Sequence, residues 1–347
     1  MKATIAPFLL LIAGLALGQE RCDAPSPSVF CNTTEILAYE TSDCRPFQVF
    51  VTRGSDEPYP GRLGNLTREI CSGIGGTDEC GFENVVYPAK STSWGTDVWC
   101  DSAGQGAVNG QAQMKAYSEK CPDSKLILLG FSQGGAVAQD ILGGGGGKVF
   151  ACEQDANPAM DPTSSPGANV VAAVTFGAVV RSKYQNFTVG EGADYDGQAP
   201  RTPEQLAGLL AYSDVLLDYC HYGDPMCAVG SEPADVYVHL DYFLEHNEEV
   251  KKWVVAMAKA SDGTASGKPS KPTISSTSTS VAAKSTVMST AMTSTVAVTS
   301  ATATASVPGD AEAVKQVSPP YNTGAAGSLT PTAPYMPALA FLAVLWL

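Results

Sequence analysis

The sequence predicts an α/β protein built on a small, mainly parallel sheet with helices on both faces. Three observations carry that expectation. A strand, a Gly-x-Ser-x-Gly turn and a helix follow one another within Lys125–Asp140, KLILLGFSQGGAVAQD. Apolar runs of strand length alternate with helical patterns on either side of it, the order that builds parallel units. The stretch able to fold, roughly residues 40 to 260, suits one such domain.

The elements follow in order. Met1-Lys2, an apolar stretch to Leu17 and the small-x-small site Ala16-Leu17-Gly18 read as a secretory signal peptide over residues 1–18, leaving Gln19 first. Residues 19–43 read as an irregular arm tied down through Cys22, Cys31 or both. Phe47–Thr52 is a strand running into the turn-rich Arg53–Pro58. A helix from about Arg62 to Ile70 is expected next, then a Gly-rich loop bracketed by Cys71 and Cys80, then a strand over Asn84–Tyr87 closed by Pro88. Ala103–Lys120 is helical up to Pro122. Leu126–Leu129 suits a buried parallel strand and is too short for a helix. Gly143–Gly147 is expected to be a flexible loop, since consecutive glycines favour neither regular structure. Val170–Phe176 and Val215–Tyr219 complete the sheet. Tyr242–Lys259 closes the domain as one amphipathic helix with Phe243, Val250, Trp253, Val254 and Met257 on one side.

Beyond residue 260 the composition changes. Thr264–Ser306 is dominated by Ser, Thr, Ala and Val, and residues 261–321 read as a disordered, O-glycosylated stalk. The apolar end Ala338–Leu347 is too short to span a bilayer comfortably. With small residues around Asn322–Gly327 and a polar spacer, residues 322–347 match a GPI-attachment signal, with Asn322 or Gly324 as the attachment site.

A formal charge of −14 argues against nucleic acid and against an anionic membrane surface, so membrane contact is expected only through the lipid anchor. The ten cysteines all follow the signal, which in a secreted chain reads as disulfides. No CxxC pair occurs and the chain has three histidines, so neither metal nor organic cofactor is expected. The sequons at Asn32, Asn65 and Asn186 agree with a secretory route. An extracellular monomer is the expectation.

The chemistry centres on Ser132. Strand, Gly130-Phe131-Ser132-Gln133-Gly134 and helix are the context of a nucleophile elbow. A serine hydroxyl needs a base, and the base needs an orienting acid. All three histidines, His221, His239 and His246, follow Ser132. His246 falls beside the apolar stripe of the last helix, and His221 precedes most candidate acids. His239, just before that helix, is the best placed base. Asp224, in the segment Cys220–Cys227, fits as the acid, with Asp214, Asp218 and Asp235 as alternatives.

GFSQGG at Gly130–Gly135, the Arg53–Ser55 turn and C-x-x-G-D-x-x-C ahead of a histidine together resemble the cutinase and acetylxylan esterase family, secreted serine esterases with a small α/β-hydrolase fold. The resemblance runs from about Cys44 to Lys259. It implies Ser132 as nucleophile, Asp224 as acid and His239 as base, with Ser55 and the backbone N–H of Gln133 as the oxyanion hole. It also implies the bridges Cys44–Cys121 and Cys220–Cys227; Cys71–Cys80 is a local expectation, and Cys22, Cys31, Cys100 and Cys152 stay unassigned. Phe131 stands where the family often has tyrosine. Ala228–Val238 lacks the proline-led apolar approach usual in cutinases, and Gly223-Asp224-Pro225 is closer to the acetylxylan esterases. Acetylated polysaccharide is the expected substrate, cutin-like polyester the alternative, and a non-catalytic surface glycoprotein the alternative of another class.

Overall fold

Successive side chains of a strand point to opposite faces, so a strand apolar at every position needs cover on both sides. The computed structural model, which describes residues 33–264 and 267–272, provides it. A short helix, α1 (Thr34–Leu37), precedes β1 (Phe47–Thr52), α2 (Leu63–Ile74) and β2 (Cys80–Asn84). Next come α3 (Thr96–Lys120), β3 (Lys125–Phe131) and α4 (Gln133–Gly143). After them lie β4 (Gly145–Val149), β5 (Cys152–Asn157), β6 (Val170–Phe176), β7 (Thr188–Val189), α5 (Pro203–Leu210) and β8 (Leu216–Tyr219). The domain closes with α6 (Val236–Leu240), α7 (Tyr242–Glu245) and α8 (Asn247–Ser261).

Six strands form a parallel sheet in the order β2-β1-β3-β6-β8-β7. On one face Val49, Val51, Ile127 and Leu129 pack with Leu66 and Ile70 of α2 and Val250, Trp253 and Val254 of α8. On the other, Phe50, Leu126 and Leu128 meet Met114 of α3, Val137 and Ile141 of α4 and Leu209 of α5. Parallel strands all end at one edge of the sheet, so the residues following β1, β3, β6 and β8 gather there. That edge is where open α/β sheets bind their ligands.

Several boundaries differ from the sequence expectation. The glycine run is not a loop: Gly145–Val149 is β4, paired antiparallel with β5 and irregular between Gly145 and Gly147. A second strand supplies the hydrogen bonds that weak local propensity does not demand. The β5 strand is in turn tethered to α3 by the Cys100–Cys152 disulfide. The second strand occupies Cys80–Asn84 and not Asn84–Tyr87, because pairing with β1 runs from Phe47↔Cys80 to Val51↔Asn84. The third helix starts at Thr96, a turn and more before Ala103, and buries Trp99 and Cys100. The closing helix is interrupted at His246, whose φ of −109° departs from helical backbone. The arm also holds order before Cys44: α1 buries Ile36.

Among the described residues, four disulfides join Cys44–Cys121, Cys71–Cys80, Cys100–Cys152 and Cys220–Cys227. Cys22, Cys31, the Asn32 sequon, the signal segment, most of the stalk and the anchor signal lie outside the described residues. Asn186 is exposed. Asn65 lies half-buried on α2, where Glu69 and Arg68 bond its side-chain amide.

Candidate active site

Ser132 sits between β3 and α4 with φ 57° and ψ −120°, a backbone conformation that residues with a Cβ rarely adopt. Such a turn lifts the side chain off the strand end. It forms here because the next turn must pass very close to β1. A Cβ on Gly134 would run into the carbonyl oxygens of Thr52 and Arg53. Thr52 Oγ1 fastens that crossing by donating to Leu129 O at 2.8 Å and Gly134 O at 2.7 Å. The serine N–H donates to Phe176 O at 2.9 Å, the last residue of β6.

Asp224 and His239 meet at the same edge. Asp224 lies in the loop after β8 that Cys220–Cys227 closes, and His239 on α6, a short helix where a loop was expected. The imidazole Nδ1 stands 2.9 and 3.0 Å from the two carboxylate oxygens. Both residues are fully buried. Asp224 Oδ1 also accepts from the N–H groups of Met226 (2.7 Å) and Cys227 (3.3 Å), and Oδ2 accepts from the Tyr242 hydroxyl at 2.6 Å. Burial works to raise the Asp224 pKa, but the charge and hydrogen bond of His239, then Tyr242 and the Met226 amide, outweigh it. The carboxyl is held below the usual aspartate value.

With Nδ1–H given to an anion, the other ring nitrogen is left as a lone-pair acceptor. His239 Nε2 is buried and has no hydrogen-bond partner among the described residues. The ring lies against Phe131, with centroids 5.0 Å apart, and against Gly177, where a Cβ would stand 2.8 Å from Nδ1. Ser132 and His239 thus flank one Phe176–Gly177 link, although their side chains share no hydrogen bond in this structure. The arrangement leaves an unpartnered ring nitrogen at the sheet edge that carries the elbow serine.

Ser55 is half-buried in the loop after β1, and its hydroxyl makes no hydrogen bond among the described residues. That loop is held against the elbow: a Cβ on Gly54 would stand 2.8 Å from the Phe131 ring. Arg53 donates to Glu57 O at 2.7 Å and Tyr87 O at 2.9 Å, while Glu57 accepts from Gly54 N and pairs with Arg62. Gln133 opens α4, where first-turn N–H groups lack intrahelical acceptors. Its side chain is anchored by Lys90 O at 2.8 Å and Ser102 Oγ at 3.1 Å.

The alternative acids sit elsewhere. Asp218 is buried in an ion pair with Arg181 at 2.8 Å, Asp235 accepts from Tyr237 N at the start of α6, and Asp214 is exposed beside Lys268. Sequence reasoning missed Tyr242, which reads as one more apolar residue of a helix. It also missed the Arg53–Glu57–Arg62 bracing, whose charges lie within a stretch of turn composition. His221 and His246, set aside as bases, approach one another.

Residues 43–258 match the family described as Cutinase. Among curated proteins, Cutinase 11 of Verticillium dahliae is 28% identical over 58% of this chain and 65% of that protein. Acetylxylan esterase 2 of Talaromyces purpureogenus is 26% identical over 62% of this chain and 88% of its own. The catalytic core domain of acetyl xylan esterase from Trichoderma reesei superposes with a TM-score of 0.51 at 22% identity, covering 63% of this chain and 99% of that one. This last likeness is one of fold.

Proposed function

The chain belongs to the cutinase family, and from that premise we propose that it is a serine esterase hydrolysing carboxylic esters through an acyl-enzyme. The observation that carries the reading is the His239 imidazole, bonded to buried Asp224 on one side and carrying an unpartnered Nε2 on the other. Ser132 Oγ attacks the ester carbonyl as His239 Nε2 takes its proton. Asp224 keeps the imidazole oriented and stabilises its charged form. The Gln133 N–H and the Ser55 hydroxyl receive the oxyanion of the tetrahedral intermediate. The imidazolium then protonates the leaving alcohol, and water releases the acid by the same steps reversed.

Acetylated plant polysaccharide is the substrate we favour, supported by Gly223-Asp224-Pro225 and by the similarity to acetylxylan esterases over most of their length. Rates on acetyl, butyryl and longer acyl esters test this. A steep decline beyond acetate is expected; a rise towards longer chains favours aliphatic polyester, the reading that similarity to cutinases supports. Ser132→Ala that leaves ester turnover unchanged sinks the enzyme altogether and leaves a non-catalytic surface glycoprotein. Family and disulfides point to secretion. We place residues 261–321 as a glycosylated stalk and 322–347 as a GPI signal; release of the protein from membranes by a phosphatidylinositol-specific phospholipase checks the anchor.

A further inference from the structure

His221, in the loop after β8, and His246, at the junction of α7 and α8, meet ring to ring with their Nε2 atoms 2.7 Å apart. Glu245 Oε2 stands 3.8 Å from His221 Nε2 and 4.0 Å from His246 Nε2. We propose that these three side chains form a binding site for one divalent metal ion of the zinc class, separate from the reacting atoms.

Two imidazole nitrogens and a carboxylate are a donor set that zinc takes, with water completing four-coordination. A tetrahedral ion about 2.0–2.1 Å from each nitrogen holds them roughly 3.3 Å apart, so the rings need to part by about half an ångström. The carboxylate closes in on a side chain that is 57% exposed and free to re-orient, which also opens a path from solvent. The rings themselves are held in place. Tyr242 stacks on His221 with centroids 4.2 Å apart, and the Tyr219 ring lies 4.7 Å from His246. Asp241 Oδ1 stands 3.3 Å from His221 Nδ1, where its charge favours the tautomer protonated at Nδ1 and leaves the Nε2 lone pair facing the site. The competing occupant is a single proton bridging the two Nε2 atoms.

An ion here clamps the acid-bearing loop to the closing helices. Tyr242 joins the two: its hydroxyl accepts from His221 N at 3.0 Å and donates to Asp224. The ion is structural in this role, and its test does not depend on ester turnover. Chelator-treated full-length protein is titrated with zinc chloride at neutral pH by calorimetry and followed by thermal unfolding. One equivalent binds saturably and the Tm rises with zinc concentration, as for any ligand selective for the folded state. Glu245→Gln weakens binding, His246→Gln abolishes it, and Asp241→Asn lowers the affinity about 10- to 100-fold, the usual cost of losing an outer partner. Cobalt titrated into the wild-type chain gives the visible absorption of a four-coordinate N/O site, a readout independent of whether any variant folds. Absence of saturable zinc uptake, undiminished uptake after His246→Gln, or cobalt that remains fully hydrated overturns the proposal.

Discussion

The Tyr242 hydroxyl donates to Asp224 Oδ2 at 2.6 Å, tying the first residue of α7 to the carboxylate that orients His239. Hydrogen bonds to charged groups contribute about 1.5–3 kcal/mol. Tyr242 is itself fully buried, and burial, reinforced by the Asp224 charge, pushes its own pKa well above the usual tyrosine value, so it stays a donor.

Tyr242→Phe keeps the ring and removes the donor. We expect kcat to fall about tenfold with KM unchanged, because about 1.4 kcal/mol of orienting energy is a factor of ten in rate. Equal kcat for the two proteins would mean that His239 and the backbone amides hold Asp224 unaided.

Asp224→Asn removes the anion while preserving the shape. A drop in kcat on the order of 10⁴-fold is expected from the wrong imidazole tautomer. Stability carries a second signature. The folded Asp224 pKa lies below the ordinary value of 3.8, so between the two the unfolded chain binds more protons. Stability is therefore complete above that window and lost as pH falls through it. Urea midpoints measured from about pH 5 to about pH 2 should fall less steeply in Asp224→Asn than in the wild type; parallel slopes would remove Asp224 from the account.

Gly177→Ala places a methyl group where the imidazole lies, 2.8 Å from His239 Nδ1 and Cε1, at a φ of +55°. A displacement of about an ångström at a reacting group costs about 10²-fold. Steady-state rates should show that loss in kcat while the fold, followed by circular dichroism, survives. Wild-type kcat would place the ring elsewhere.

Replacing Cys100 and Cys152 by serine opens a bridge between residues 52 apart. Loop entropy alone assigns it about 4 kcal/mol. Denaturant unfolding of the double variant should show a loss of that order, with catalysis intact under native conditions. A loss below about 1 kcal/mol would mean that β4 and β5 stay docked without the covalent tie.

Much of this was readable from the chain because local and global signals agreed. In Leu126–Gly134 the apolar run, the glycines and the small residues of α4 all demand one strand–turn–helix, and Val170–Phe176 admits no other reading. The misses have a common cause in contacts that sequence spacing does not record. Gly145–Val149 became a strand through a partner supplied by β5. Asn84–Tyr87 lost its strand assignment to Cys80–Asn84 because β1 fixes the register. Tyr242 and the His221–His246 pair bring together positions that no helical or strand period connects, and His239 turned out to ride a five-residue helix too short to announce itself.

Ser132 occupies φ 57°, ψ −120°, a region that costs a residue with a side chain on the order of 1–3 kcal/mol. Glycine would sit there at ease. Any selection that rewards resistance to heat or expression level alone therefore pushes this position towards glycine, which carries no hydroxyl. In a directed-evolution campaign on this chain, the variants that gain stability at the elbow are the ones to discard, and every round needs a turnover screen to keep them out.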